Sequence, residues 1–173
     1  MWRSSAADGC VNKLGAVNLH PEVATLAPLL GTWSGEGQGS YPTTKDFVYR
    51  ETVTFSHVGK PNLAYAQRTW ALDDGRPLHS EVGFWRVPVP GRLEVVLAHP
   101  TGVVEVETGT IQLGQLSRIE LATIRVVCAP SAKSVVALER TFVLDGDVLR
   151  YTLRMAAVGI PLTHHLRAEL RRE

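Results

Sequence analysis

Cysteine is nearly missing from this 173-residue chain: only Cys10 and Cys128 occur, and they cannot make a zinc ribbon, an iron–sulfur site or a disulfide framework. A reducing cytoplasm is the expectation that follows. Long apolar runs are missing too. No stretch of about 18 apolar residues exists, so no membrane-spanning helix is expected. The first residues lack the continuous apolar core of a secretory signal, and residues 1–18 read as a loose extension before one domain over 19–173. No sign of charge dominates. Lys and Arg number 18 against 17 Asp and Glu, a net charge of +1, which gives no large field to gather nucleic acid or an anionic membrane. Gly-x-Ser-x-Gly and His-Glu-x-x-His are both absent, which removes the simplest hydrolase and metalloprotease readings.

What the chain does have is a glycine-rich stretch from Gly31 to Thr44, with Gly31, Gly35, Gly37 and Gly39 around Trp33 and a Tyr41-Pro42-Thr43 turn behind them. Glycine at alternate positions of an extended segment strips one face of side chains. Two readings are open. A barrel's first strand uses glycine to turn a corner and tuck its tryptophan into the floor, or a flat ligand lies on the bare backbone. Gly35 to Gly39 reads Gly-Glu-Gly-Gln-Gly, but no βαβ unit follows, so a dinucleotide site is excluded.

His20 to Leu30 is the one good short-helix candidate, with Pro21 in the first turn and Gly31 as its stop. Val23, Leu26, Leu29 and Leu30 would share a face and plug the end of something. The rest reads as strands: 32–40, 47–56, 63–72, 78–87, 92–98, 103–113, 116–127, 135–144, 148–157 and 162–171. Asp145-Gly146-Asp147 is the strongest hairpin signal among their turns. No long crossover helices separate them, which excludes a parallel sheet. About ten antiparallel strands avoid two raw edges by closing. The expected fold is therefore all-β, a closed antiparallel barrel of about ten strands with a short helix plugging one end and room for a ligand. A β-sandwich is the alternative.

Six histidines are available for chemistry. In the last strand, period-two alternation puts Leu162, His164, Leu166, Ala168 and Leu170 on one face, and Thr163, His165, Arg167, Glu169 and Arg171 on the other. Either face can point inward. With the polar face inside, the leucines cover the outside or meet a partner, and a homodimer is then expected. His79, Glu81, Gly83 and Trp85 share a face in the fourth strand, where His79 is either a hydrogen-bonded core histidine or a pocket residue.

Taken together, these pieces resemble the nitrobindin family, haem-carrying relatives of the fatty-acid-binding-protein barrel. They are Leu29-Leu30-Gly31-Thr32-Trp33 with Gly35, Gly37 and Gly39; Tyr41-Pro42-Thr43; His57-Val58-Gly59-Lys60-Pro61; Pro77-Leu78-His79-Ser80-Glu81 with Gly83; Ala98-His99-Pro100-Thr101-Gly102; and Met155 through Leu166. The resemblance implies a haem b near one mouth of the barrel. The family's axial histidine lies four residues after a proline and directly before a leucine, so Pro161 and Leu166 place it at His165 and leave His164 pointing away. It also implies Thr43 beside the haem, the bare backbone of Gly35 and Gly37 against the macrocycle, and His79 in the pocket beyond the iron. Cys-x-x-Cys-His is absent, so the haem would be held without covalent links, one per chain. The implied activity is isomerisation of peroxynitrite to nitrate at the open sixth position of a ferric haem, with reversible nitric oxide binding. The rival readings are the same barrel carrying a fatty acid or other apolar ligand, or an apo barrel with a structural task.

Overall fold

The structure, a computed structural model, describes residues 17–173. Apart from Val17 and Asn18, the expected loose extension lies outside the described residues, as does Cys10. A short helix, Pro21–Leu29, precedes ten strands: β1 Gly31–Tyr41, β2 Thr44–Ser56, β3 Leu63–Ala71, β4 Pro77–Arg86, β5 Arg92–His99, β6 Val103–Gln112, β7 Ser117–Cys128, β8 Val135–Asp145, β9 Val148–Ala157 and β10 Ile160–Arg172. Each strand pairs antiparallel with its sequence neighbours, and β1 pairs with β10, so the sheet closes into a barrel without a free edge. Closure excludes the sandwich. Between β8 and β9 the hairpin takes its two-residue form, with Gly146 at φ +55.

The helix has the expected span but tightens to 3₁₀ geometry. Pro28 has no N–H for an α-helical bond, and its ring crowds the preceding turn. At the start, the His20 Nδ1 accepts from the Glu22 N–H at 3.3 Å. Val23, Leu26 and Leu29 are buried and cap one end of the barrel. Beneath them lies Trp33, fully buried, whose indole N–H donates to the Leu29 carbonyl at 2.7 Å. The Arg172 guanidinium sits 4.1 Å from the Trp33 ring centroid and donates to the carbonyls of Leu30 and, at 2.7 Å, Pro28. Above this floor Phe55, Trp85, Phe142 and Tyr151 form an edge-to-face and tilted chain with centroids 5.3 to 5.6 Å apart. This half of the barrel is packed with buried side chains.

The glycines of β1 belong to that packing. A Cβ on Gly35 would lie 2.1 Å from the Glu169 carbonyl oxygen, and one on Gly37 would lie 2.3 Å from the Tyr49 ring. The missing side chains admit a neighbouring strand and an aromatic ring, so on this side of Gly35 and Gly37 the space expected for a macrocycle holds protein.

Neither face of β10 faces inward along its whole length. Its register with β9 shifts between His164 and Leu166, a β-bulge in which His165 is the unpaired residue. On the helix side of the bulge, Ala168 and Leu170 are buried and Leu166 packs against the core. On the other side the parity switches, and His165 also turns inward. Leu166 and Leu170 therefore pack inward instead of covering the outside of the strand.

Gly35→Ala is expected to destabilise the barrel by about 1–3 kcal/mol, since the obstructing atom is backbone and cannot rotate away. Urea unfolding followed by tryptophan fluorescence measures it; an unchanged midpoint would contradict the packing assigned to β1.

Candidate functional site

At the end opposite the helix the barrel holds a cavity of about 1090 Å³, open at its mouth. The upper reaches of most strands contribute to it. β10 brings His165, β1 brings Gly39 and Ser40, β2 brings Phe47 and Tyr49, and β4 brings His79 and Glu81.

His165 is held by its surroundings. Its Nδ1 lies 3.1 Å from the Ser40 carbonyl oxygen, an acceptor that fixes the proton on Nδ1 and leaves the Nε2 lone pair free. Tyr41 meets the imidazole edge-on with centroids 5.1 Å apart, and Phe47 stands 6.4 Å away. Tyr41 is itself pinned: its hydroxyl accepts from the Ala157 N–H at 2.9 Å and lies 3.2 Å from the carbonyls of Met155 and Ala157. Burial lowers the His165 pKa, outweighing the Ser40 hydrogen bond that raises it. The ring is a neutral, oriented donor. His164 is exposed and reaches only the rim.

The cavity floor is polar and charged. Glu51 is fully buried and accepts from Gln67 and, at 2.8 Å, from the Tyr151 hydroxyl; Tyr49 lies 2.9 Å from that hydroxyl. Arg140, also buried, donates to Glu105 at 2.6 Å, to Glu107, and to Glu81 at 3.3 Å. Tyr65 donates to the other Glu81 oxygen at 2.9 Å. Burial pushes Glu51 up to about 7. It does the same to Glu107, where it prevails over Arg140. Glu81 moves the other way. Burial raises it, but Arg140, His79 and His99 together outweigh that and hold it at about 2.

Of the residues expected at the site, His165 and His79 line the cavity. Thr43 lies on the exposed turn between β1 and β2, outside the lining, while the adjacent Thr44 belongs to it. Gly35 and Gly37 are outside it; Gly39, further along the same strand, is at its edge. The glutamates, Arg140, Gln67 and His99 were not anticipated as site residues. A signal for them existed: Glu51 alternates with inward-facing Tyr49 and Val53, and Arg140 with Leu138 and Phe142. A charge on the apolar face of a strand marks either a wet interior or a site.

Residues 22–172 match the THAP4-like, heme-binding beta-barrel domain. This chain belongs to that family. A Mycobacterium marinum protein named peroxynitrite isomerase 2 is 55% identical, over 90% of this chain and 98% of its own. Peroxynitrite isomerase 1 of Mycolicibacterium paratuberculosis is 57% identical over the same shares, and the peroxynitrite isomerase of Nocardia farcinica is 50% identical over 91% and 95%. The crystal structure of Rv2717c from M. tuberculosis superposes with a TM-score of 0.88 at 51% identity, covering 90% of this chain and 99% of that one. The residues present fit the family's haem. A cavity of this size takes a large cofactor, and the Ser40 contact presents one histidine with its free nitrogen uncovered.

The two raised carboxyls set a pH dependence. An acid whose folded pKa lies above its unfolded value contributes stability that is complete below the unfolded value, near 4.5, and lost as pH rises through about 7. Stability against urea is expected to fall between pH 5 and pH 8. Glu51→Gln, which cannot ionise, is expected to flatten that fall by on the order of 2–3 kcal/mol. Urea melts at four pH values decide it; parallel profiles for the two proteins would refute the assignment.

Proposed function

We propose that this protein is a peroxynitrite isomerase that binds one haem b non-covalently in the cavity mouth, with His165 as the axial ligand. The observation that carries the reading is the His165–Ser40 contact. A metal-ligating histidine is ordinarily held by a hydrogen bond from its other ring nitrogen, which fixes the tautomer and raises ligand basicity. His165 has that arrangement, with a backbone carbonyl as acceptor.

When bound, the ferric haem supplies an open coordination position at which peroxynitrite is isomerised to nitrate and nitric oxide binds reversibly. The chain's own residues bind and orient. Nε2 of His165 would hold the iron through its lone pair, with Tyr41 and Phe47 packed against the ring. Lys45 and Arg167 stand among the residues lining the opening, with Arg76 paired to Asp74 at 3.5 Å. Peroxynitrite and nitrate anions have the same atoms and charge, so no side chain has to give or take a proton. His79 lines the cavity from β4, on the other side of the barrel from β10.

The fatty-acid reading meets an obstacle in the floor. An alkyl chain laid along the cavity would face Gln67, Thr69, Glu81, Glu105 and Arg140, polar and charged lining groups to which it offers no hydrogen bond. We place the protein in the cytoplasm on its scarcity of cysteine.

His165→Ala is expected to lose the Soret band of the hemin-reconstituted protein, with affinity falling by at least the roughly 10–100-fold that losing a mere outer-shell partner costs. Peroxynitrite isomerisation, followed as nitrate yield in stopped flow, is expected to fall with it. His164→Ala is expected to keep both. Full haem uptake and full activity in His165→Ala would end the proposal; the same loss in His164→Ala alone would move the ligand one residue back.

A further inference from the structure

The cavity carries a second set of metal donors. His79 and Glu81 sit two residues apart on the inner face of β4, and His99 ends the neighbouring β5. The closure order of the barrel puts these strands on the far side from β10. His79 Nε2 and His99 Nδ1 lie 3.0 Å apart, His99 Nδ1 and Glu81 Oε2 3.4 Å, and His79 Nε2 and Glu81 Oε2 3.9 Å. Ligands bonded to zinc at about 2.0–2.1 Å in a tetrahedron stand about 3.3–3.4 Å from one another, and the three separations bracket that edge. Among the described residues this is the group of three such side chains whose donor atoms converge; His165 is not part of it.

Two further features point to a cation. The first is the outer partner of His99. Its Nε2 lies 2.8 Å from Glu105 Oε1, in charge contact though off the axis of an aligned hydrogen bond, with the side chain only 6% exposed. A carboxylate behind a histidine that turns its other nitrogen to a common point is the usual outer shell of a zinc ligand. The second is charge. Glu81 and Glu105, the two carboxylates beside the histidines, are buried with a single buried guanidinium, Arg140, which also serves Glu107. A divalent ion offsets what Arg140 alone does not. His79 is 36% exposed along its side chain, which gives an entry path from the mouth.

We propose that His79, Glu81 and His99 form a second, non-haem site for a divalent first-row transition-metal ion, with Glu105 as the outer carboxylate. Two imidazoles and a carboxylate are a donor set that suits zinc or ferrous iron. The ion takes the place of the contact between the two facing imidazole nitrogens, and its fourth position opens to the cavity. The inference uses no part of the haem assignment.

Calorimetric titration of the full haem-free chain with zinc chloride tests it, with cobalt(II) absorption as a coordination signature. One zinc ion per chain is expected, with affinity at least roughly 100-fold weaker in His79→Ala and in His99→Ala, and unchanged in His165→Ala. Circular dichroism checks each variant's fold. Should His99→Ala fail to fold, the more exposed His79→Ala decides. No zinc uptake by the wild-type chain, or wild-type affinity in His79→Ala, overturns the proposal. Loss of zinc in His165→Ala also overturns it, by moving the ion to the other histidine. Haem uptake by His165→Ala, read separately from its Soret band, bears only on the earlier reading.

Discussion

A single extra residue in β10 governs the site. The unpaired His165 lets one strand show two parities to the barrel interior: Leu166, Ala168 and Leu170 fill the packed half, and His165 enters the open half. With strict alternation these sets would exclude each other, because a step of one residue exchanges the faces of a strand. The bulge also brings the imidazole against the end of β1, where the Ser40 carbonyl receives it. Orientation, tautomer and access thus come from one irregularity in the ladder.

The barrel is divided along its axis into two solvents. Near the helix, Trp33, Phe55, Trp85 and Phe142 exclude water and supply the stabilising burial. Toward the mouth, the same inward positions carry glutamate, glutamine, tyrosine and arginine. Arg140 joins the two regimes, three residues from Val143 on the outer face and flanked inside by Leu138 and Phe142. Its contacts to Glu81, Glu105 and Glu107 satisfy charges that would be costly alone. A wall so polar suits small charged guests and metal ions better than hydrocarbon.

Strand number, antiparallel order and closure were legible in the chain, because alternation and short turns are local signals and an open meander leaves edges. The helical plug was legible in position but not in type, since Pro28 acts through a missing donor rather than through hydrophobic spacing. The glycines of β1 were legible as bare backbone, but not what covers them. The Glu169 carbonyl and the Tyr49 ring arrive from strands far away in sequence. His165 was reached through family resemblance. Its inward aim depends on a bulge that period-two reading has no means to place. The interior charges left a trace in the sequence, as ionisable residues in phase with apolar ones, but their mutual contacts cross from β4 and β6 to β8.

The seam between β1 and β10 joins Trp33 to Arg172 and Gly39 to Leu166, nearly the whole length of the domain apart. A polypeptide leaving the ribosome presents β1 before β10, so the edge of the first strand not covered by β2 must wait for the tenth strand. The imidazole and the carbonyl that holds it lie on the two sides of that seam. The pocket is therefore complete only once β10 has joined β1, and a nascent chain stalled before β10 has no such pocket to fill.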